Sequence, residues 1–285
     1  MIAAVSLATA RCVLALLPNQ TGTIPRDGMA RAKIAERSAQ TIHNTLLLGL
    51  SADERLEICA RMEMVDLPAR TILNEAGERI EFAYFINSGC ASILKVMSDG
   101  KSVEVGLAGC EGFVGSPLLA GYRTSPTQAV MHVAGSGFRI GERDLRIALE
   151  EFPCLLSNLE RYNQELNIQT MQTAACNRLH EVECRLGRWL LMTQDRVGDS
   201  FALTQDFLAH MLGTRRATVT ITAGMLQKAG LITYKRGQVR IKNRPGLEIN
   251  ACECYSAIQR HLAAWRAEFR DDFNGKYALR SSANS

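Results

Sequence analysis

The sequence lacks any run of the ~18 to 20 consecutive apolar residues that a membrane-spanning helix requires. Residues 1–17 are largely apolar, but Arg11 interrupts them, no basic segment precedes them, and no convincing cleavage site follows. These are not the properties of a signal peptide. We therefore predict a cytoplasmic protein without a membrane partner, in which residues 1–40 form a poorly structured extension.

The sequence also lacks a cysteine pattern typical of disulfide-bonded domains. The nine cysteines are odd in number and scattered, at positions 12, 59, 90, 110, 154, 176, 184, 252 and 254. Such a set indicates a reducing compartment. Cys252 and Cys254 form a C-x-C pair, and three further side chains could join them as metal ligands, namely Cys176, His180 and Cys184. Because C-x-C is a weak motif, we favour unengaged thiols and predict no metal site.

What the chain does contain fits about two ordinary globular domains: 285 residues, 47% hydrophobic and 22% charged. Short alternating apolar runs fill the region from Met64 to Ile140, at 71–73, 82–86, 92–97, 103–107 and 129–133. Turn residues separate these runs, at Gly77, Ser88-Gly89, Asp99-Gly100, Gly109 and Gly135. Asp99-Gly100 is a strong hairpin signal, and the whole pattern predicts a β jelly roll.

Helices are predicted on both sides of this β region. Ser51 and Glu54 fit a capping box at the start of a short helix, and residues 142–150 form another. Pro153 then begins a long helix that runs to about Asn177 without Gly or Pro. Its apolar side chains alternate at spacings of four and three, at Leu155, Leu159, Tyr162, Leu166 and Gln169. This spacing favours a coiled-coil dimer contact, and the alternative is a helix packed on its own β-domain.

The segment Leu203–Ile241 organises the second half of the chain. Thr204 is a good N-cap, Gly213 ends the first helix, and Thr214 is predicted to cap a second helix that begins at Arg215 and Arg216. In the second helix, Val219, Ala223 and Leu226 recur at helical spacing and must face inward. Two short helices around a tight turn predict a helix-turn-helix, whose second helix can enter a DNA major groove.

A basic hairpin follows the two helices. The strand-like segments 231–234 and 238–241 flank Lys235-Arg236-Gly237, as in the wing of a winged helix. Between Ser200 and Pro245 there are eight Lys or Arg residues and one acid, whereas residues 41–141 hold eleven acids and eight bases. Positive charge concentrated in one small domain indicates contact with nucleic-acid phosphates. The second half is therefore the DNA-binding half.

A β jelly roll, a long helix and a winged helix-turn-helix, in this order, resemble the Crp/Fnr family of bacterial transcription regulators. The strongest resemblance is in LTQDFLAHMLGTRRATVTITAGMLQKAGLI, and weaker landmarks are EFAYFINSG, Asp99-Gly100 and GFVG from Gly112. The resemblance implies an α+β fold with four parts after the extension: a sensor β-roll at 41–150, a dimerisation helix at 151–177, a DNA-binding domain at 178–247 and a C-terminal extension at 248–285. It also implies a homodimer that binds double-stranded DNA and contacts RNA polymerase.

The resemblance assigns roles on the DNA-binding half. Arg216 matches the family's guanine-reading arginine, while Ala217 and Ile221 stand where the family often has polar readers; an alkyl group can touch a thymine methyl instead. The predicted base-reading residues are Arg216, Ala217, Thr220 and Ile221. The predicted backbone contacts, which position the helix without reading sequence, are Thr204, Gln205, Arg215, Thr218, Lys235 and Arg236. The operator should therefore differ from the family's familiar half-site.

The effector region departs further from the family. Cyclic-nucleotide binders have a Glu after the phosphate-loop glycine and an Arg-Ser or Arg-Thr pair about ten residues later, where this chain has Ser116 and Pro126-Thr127. A buried phosphate without its arginine would lack its main charge-assisted partner. We predict that the effector is not cAMP. A shifted loop, using Ser116, Arg123, Thr124 and Thr127, is the alternative.

Other sensors and other functions compete with this interpretation. An iron–sulfur sensor needs about four grouped cysteines, and only Cys12 lies among the first 58 residues. Cys90 and His132 are the haem-ligand candidates, and a redox-responsive cysteine stays open. A cupin-type metal enzyme needs a His-x-His group, but residues 64–140 contain one histidine, so we expect no enzyme. A non-specific architectural DNA protein is the remaining alternative.

Overall fold

The computed structural model describes residues 42–265 and residue 267 of the chain. The extension predicted at residues 1–40 lies outside the described residues, as does nearly all of the polar tail predicted at the other end. The two halves of the described chain differ in architecture, as the change in sequence pattern predicts. The first is mainly strand and the second mainly helix.

The first half folds as an antiparallel sheet preceded by two helices, α1 (Thr45–Leu48) and α2 (Ala52–Cys59). Ser51 and Glu54 form the predicted capping box of α2. The strands are β1 (Glu63–Leu67), β2 (Ile72–Asn74), β3 (Phe82–Val96), β4 (Ser102–Ala108), β5 (Phe113–Val114) and β6 (Gln128–Gly141), with a 3-10 turn at Ser116–Ala120. They pair in the order β1-β6-β3-β4, with β2 on β6 and β5 on β3. This confirms the predicted jelly-roll-like domain.

Two strands are much longer than predicted. β3 runs through Ser88-Gly89 and β6 runs through Gly135, so the prediction that these glycines separate strands is wrong. The register between β3 and β6 shifts around Ser88 instead. A Cβ on Gly135 would lie 2.0 Å from the Ser88 carbonyl oxygen, so only glycine permits this backbone approach. By contrast, Asp99-Gly100 does form the predicted hairpin turn, with Gly100 at φ +81°.

The long helix packs on its own β-domain. After α3 (Glu142–Glu151), α4 spans Pro153–Leu179. Leu155, Leu159 and Tyr162, from the predicted dimer stripe, are buried with Phe85 and Phe113 in the core of the β-domain. Further along the stripe, the Gln169 amide exchanges two hydrogen bonds with the backbone of Leu107 in β4, at 3.1 and 3.2 Å. The prediction that this stripe faces a second chain is wrong, because its side chains already pack on, or hydrogen-bond to, the β-domain of the same chain.

The second half is a small helical domain with a three-stranded sheet. Its elements are α5 (Val182–Val197), β7 (Ser200–Ala202), α6 (Gln205–Leu212), α7 (Arg216–Lys228), β8 (Ile232–Lys235), β9 (Gln238–Ile241) and α8 (Arg244–Asn250), followed by α9 at residues 254–265. β7, which the sequence did not predict, pairs with β9. Tyr255 and Ile258 of α9 are buried in the core of this domain. The first part of the predicted C-terminal extension therefore completes the domain.

The two halves share one apolar core. Leu94, Leu107 and Val130 of the β-domain sheet are buried in the same cluster as Trp189 of α5 and Leu208 of α6. The helix-turn-helix thus rests directly on the face formed by β3, β4 and β6. No helix among residues 42–265 is both long and apolar enough to cross a bilayer.

Candidate DNA-binding surface

The turn between α6 and α7 sets the position of both helices. The Thr204 hydroxyl accepts the Phe207 backbone N–H at 3.2 Å and caps α6, as predicted. Gly213 adopts the left-handed conformation that ends α6, at φ +58°. Thr214 does not cap α7, contrary to prediction: Arg215 occupies the N-cap position, and its side chain offers no acceptor. Helix α7 therefore begins at Arg216 with its first-turn N–H groups uncapped by a side chain.

Burial divides α7 into two faces as the spacing predicts. Val219, Ala223 and Leu226 are 0, 3 and 0% exposed and pack in the domain core. The opposite face is open to solvent at Arg216, Ala217, Thr220, Ile221 and Gly224, and Thr218 is half-buried. Ile221 is 65% exposed, which is unusual for a branched alkyl side chain in a folded domain. An exposed helical face with this composition is typical of an interaction surface.

Arg216 and Thr220 are held from α6. An Arg216 guanidinium nitrogen lies 3.2 Å from Asp206 Oδ2, and both side chains are more than 60% exposed. The Thr220 hydroxyl lies 2.8 Å from Gln205 Oε1 and 3.1 Å from the Arg216 carbonyl oxygen. Exposed ion pairs of this kind contribute about 0–1 kcal/mol. The Arg216 side chain is therefore positioned but easily redirected.

The wing closes the surface on one side. Arg236 and Gly237 both have positive φ, +51° and +73°, as a two-residue hairpin turn of type I′ demands. Lys235 and Arg236 are exposed at its tip. Tyr234, which the sequence reasoning missed, donates its hydroxyl to the Leu203 carbonyl oxygen at 2.8 Å and fixes the wing to the start of α6.

A cleft of about 340 Å³ lies between the wing and the two helices. Its lining brings together four of the predicted contact residues with three others, as follows: Thr204, Gln205, Arg216 and Arg236, with Asp206, Tyr234 and Gly237. Two arginines and the N-terminal end of α6 therefore face one concave surface. Such a surface suits the phosphate and base edges at the rim of a groove.

The predicted effector residues do not form one hydrogen-bonded group. Ser116 begins the 3-10 turn. Arg123 is exposed, with its Nε 3.3 Å from Glu142 Oε1 at the start of α3. Thr124 pairs with Arg79, and Thr127 folds back onto Ser125. Within the described chain, none of the four is hydrogen-bonded or ion-paired to another of them.

A chain of buried hydrogen bonds connects the sheet to the helix-turn-helix domain. Trp189 of α5 donates its indole N–H to Glu104 Oε1 at 2.9 Å, and the Ser92 hydroxyl donates to Glu104 Oε2 at 2.6 Å. Ser92 also lies 3.0 Å from His132 Nδ1, and the His132 ring stacks on Phe207 of α6. Ser92, Glu104 and His132 are single polar residues within apolar runs, and no sequence pattern predicts that they bond to one another. Apart from His132, a haem-ligand candidate, the members of this hydrogen-bonded chain were not predicted.

Burial sets the protonation of this chain. Burial raises the pKa of Glu104 to about 7, although the hydrogen bonds from Ser92 and Trp189 oppose the rise. Burial lowers the pKa of His132 to about 3, with a smaller contribution from the charge of Arg196. The imidazole is therefore neutral near neutral pH, whereas the carboxyl is far easier to protonate than an exposed one. The contact between the two domains thus contains one group that titrates near neutral pH.

Comparison with known proteins agrees with this architecture. Residues 64–152 match the model of the cyclic nucleotide-binding domain, and residues 184–249 match that of the Crp-like helix-turn-helix domain. The two matches together cover just over half of the chain. Comparison with curated protein sequences gives no match.

Several solved structures have the same fold. FixK2 from Bradyrhizobium japonicum superposes with a TM-score of 0.58 at 16% identity, covering 67% of this chain and 98% of its own. The c-di-GMP-responsive global regulator CLP from Xanthomonas campestris gives 0.57 at 19% identity, covering 67% and 99%. A CRP-family transcriptional regulator from Thermus thermophilus gives 0.54 at 19%, covering 67% and 96%.

Fold, domain matches and exposed helix together define a class: a transcription regulator whose DNA-binding domain is a winged helix-turn-helix. Within that class, the order of a cyclic nucleotide-binding-like β-domain and a Crp-like helix-turn-helix is decisive. The chain belongs to the Crp/Fnr family.

Proposed function

We propose that the protein is a sequence-specific regulator that binds a twofold-symmetric DNA site as a homodimer, with α7 in the major groove. The observation that carries this proposal is the exposed face of α7 beside the cleft that the wing closes. In this proposal residues 41–150 form the sensor domain, 151–177 the dimerisation helix and 178–247 the DNA-binding domain.

Bases are read by Arg216, Ala217, Thr220 and Ile221. On binding, Arg216 exchanges its exposed pairing with Asp206 for a bidentate contact to guanine O6 and N7. Ile221, at 65% exposure, places an apolar side chain where it can touch a thymine methyl. The proposed half-site therefore combines one guanine contact with adjacent thymine contacts.

The phosphate backbone is held at both ends of the cleft. The uncapped first turn of α7, beside Arg215 and Thr218, offers backbone N–H groups to one phosphate. Thr204 and Gln205, at the start of α6, contact the phosphates of the adjacent DNA strand. Lys235 and Arg236, exposed at the wing tip, contact flanking phosphates. These contacts carry affinity and salt dependence but no sequence preference.

Arg216→Ala tests the base-reading assignment. We expect specific affinity to fall by about 1 to 3 kcal/mol and base preference to relax at one position per half-site. The measurement is a selection of bound duplexes from a random pool, followed by titration of the selected site at fixed salt. An unchanged base preference would place another residue at that base.

Lys235→Ala is the matched comparison. We expect it to weaken all sequences alike and to reduce the slope of log affinity against log salt by about one. If wild-type protein bound selected and random duplexes equally at fixed salt, the architectural alternative would replace the proposal.

The dimer contact is proposed on the free face of α4, because the predicted stripe packs on the β-domain. Opposite that stripe, Ile168, Met171, Ala175 and Leu179 recur at spacings of three and four, and Met171 and Leu179 are 57 and 73% exposed. A second copy of the same helix would cover them. Met171→Glu should shift the sedimentation coefficient from dimer to monomer, whereas Asn163→Asp, at an exposed position of α4 outside this face, should not. A monomeric wild type would contradict the contact.

The effector is proposed to be something other than cAMP. In support, Arg123 lies against Glu142 and the residue after Gly115 is Ser116, which provides no carboxylate for a ribose. The match of residues 64–152 to the cyclic nucleotide-binding domain favours the alternative, a cyclic nucleotide bound through a shifted loop. Calorimetric titration of the purified protein with cAMP and cGMP separates the two, since binding that Arg123→Ala abolishes would establish the alternative.

A further inference from the structure

Four metal-binding side chains meet where the long helix ends. Cys176 lies in the last turn of α4, and His180 follows four residues later at the end of that helix. Cys252 lies between α8 and α9, and Cys254 is the first residue of α9, about seventy residues further along the chain. One ligand atom from each side chain, three Sγ and one imidazole nitrogen, falls within 4.8 Å of all the others. Cys184, the fifth candidate from the sequence, is outside this group: its side chain packs against the group, and its carbonyl oxygen lies 3.9 Å from Cys252 Sγ.

The spacing of these atoms suits a single ion. Cys176 Sγ is 3.4 Å from Cys252 Sγ, and Cys254 Sγ is 3.5 Å from His180 Nδ1. Zinc held tetrahedrally, with bonds of about 2.3 Å to sulfur and about 2.1 Å to nitrogen, separates its ligand atoms by about 3.6 to 3.8 Å. We propose that Cys176, His180, Cys252 and Cys254 bind one Zn²⁺ ion as a Cys3His site.

The surroundings of the four residues are those of a metal site. Glu253 Oε2 lies 3.1 Å from His180 Nε2, so the carboxylate orients the ring and leaves Nδ1 for the ion. Gln172 donates its side-chain N–H to Cys254 Sγ at 3.1 Å, a hydrogen bond that a thiolate accepts. The three cysteines are 0, 7 and 1% exposed, which protects a closed site from water.

The charge of the site is also balanced. Three thiolates and one divalent ion leave a net charge of −1. The buried guanidinium of Arg188, which is 3% exposed, acts electrostatically on Cys176, and Arg185 acts on both Cys176 and Cys252. Both arginines come from α5, the first helix of the DNA-binding domain. They supply positive charge without competing as ligands.

The site links three segments that meet at the junction of the two domains. Cys176 and His180 end α4, α5 begins two residues after His180, and Cys252 and Cys254 join α8 to α9. Gly187 of α5 already lies against Ala251, since a Cβ added to the glycine would be 3.3 Å from the backbone of that residue. A bound ion would fix α9 and the start of α5 to the end of the long helix. Its binding is independent of DNA, so the proposed function and this site can fail separately.

The test uses the full-length protein, purified under reducing conditions without chelator. We expect elemental analysis to find about one zinc per chain. After removal of zinc, titration with Co²⁺ should give the intense thiolate-to-cobalt charge-transfer absorption and the visible bands of a tetrahedral ion, and zinc should displace the cobalt. A protein that binds neither ion would overturn the proposal. So would iron with acid-labile sulfide, or a Cys176–Cys252 disulfide as the state of the freshly purified protein.

Variants identify the ligands. Cys176→Ser and Cys254→Ser should lose most of the zinc, and His180→Gln should shift the cobalt bands and weaken binding. Cys184→Ser and the exposed Cys154→Ser are controls and should keep one ion per chain. Ligand variants that keep their zinc would overturn the assignment. If the serine variants do not fold, the cobalt spectrum of the wild type still decides whether three thiolates bind.

Discussion

Replacing Glu104 with Gln tests the buried contact between the β-domain and the DNA-binding domain. Gln has nearly the same shape, and its amide can accept from the Trp189 indole and donate to the Ser92 hydroxyl, whose own proton can then turn to His132. The substitution therefore keeps the hydrogen bonds and removes only the titration.

The expected effect has a definite sign. Burial raises the pKa of Glu104 from its ordinary 4.5 to about 7, so the folded state holds this proton more tightly than the unfolded state. The resulting stabilisation is complete below about pH 4.5 and is lost as the pH rises through about 7. At 1.36 kcal/mol per pKa unit, the loss amounts to about 3 kcal/mol over the full window. Gln has no such loss, and His132 is present in both proteins.

The assay is urea unfolding of wild type and Glu104→Gln at several pH values between 5 and 8. The free energy of unfolding of the variant, relative to wild type, should increase by about 2 to 3 kcal/mol from the lowest to the highest pH. Glu57→Gln, at an exposed position of α2, controls for the loss of one carboxyl at the surface. A relative stability that does not change with pH would refute the assignment of a raised pKa to this carboxyl.

Two further tests, one of an ion pair and one of a close backbone approach, concern the packing around the β-domain. Arg196→Met should lower the free energy of unfolding by about 3 kcal/mol, because it leaves the partly buried Glu111 without its partner at 2.7 Å. The double variant Arg196→Met, Glu111→Leu should recover part of this loss. If it recovers none, the ion pair does not stabilise the fold as expected. Gly135→Ala should prevent folding or lower the melting temperature severely, since its Cβ would overlap the Ser88 carbonyl. Gly100→Ala, where the backbone is strained but the space is open, should cost only about 1 kcal/mol by thermal unfolding. Equal effects at the two glycines would contradict the close approach of β3 and β6.

The sequence predicted the local structure well where a short-range rule determines it. Capping at Ser51 and Thr204, the end of α6 at Gly213 and the inner face of α7 all depend on residues within two turns of one another. The hairpin at Asp99-Gly100 is of the same kind. Each was confirmed because the neighbouring residues alone select the conformation.

Apart from the Thr214 cap, a short-range rule that failed, long-range packing decided the features that were missed. Gly135 is predicted from sequence to end a strand. In the structure it lies within β6, where the backbone of Ser88 in β3 approaches so closely that only glycine fits. The apolar residues at Leu155 and Leu159 have coiled-coil spacing. A helix that packs on a sheet of its own chain has the same apolar spacing as one that packs on a second helix, so the spacing does not distinguish the two. The C-x-C pair at Cys252 is weak in sequence because nothing local places it beside the end of α4. The base-reading and backbone contacts stay predictions.

The shared core has a consequence for how the protein unfolds. Leu107 of the sheet and Leu208 of the helix-turn-helix lie in one apolar cluster. If either half unfolds, the apolar side chains that the other half contributes to this cluster become exposed to water. The two halves are therefore expected to melt together in a single cooperative transition, with a denaturant dependence that reflects the surface of both. A destabilising substitution in the buried part of the sheet would then lower the concentration of folded protein. It would do so without changing any residue that is proposed to contact DNA.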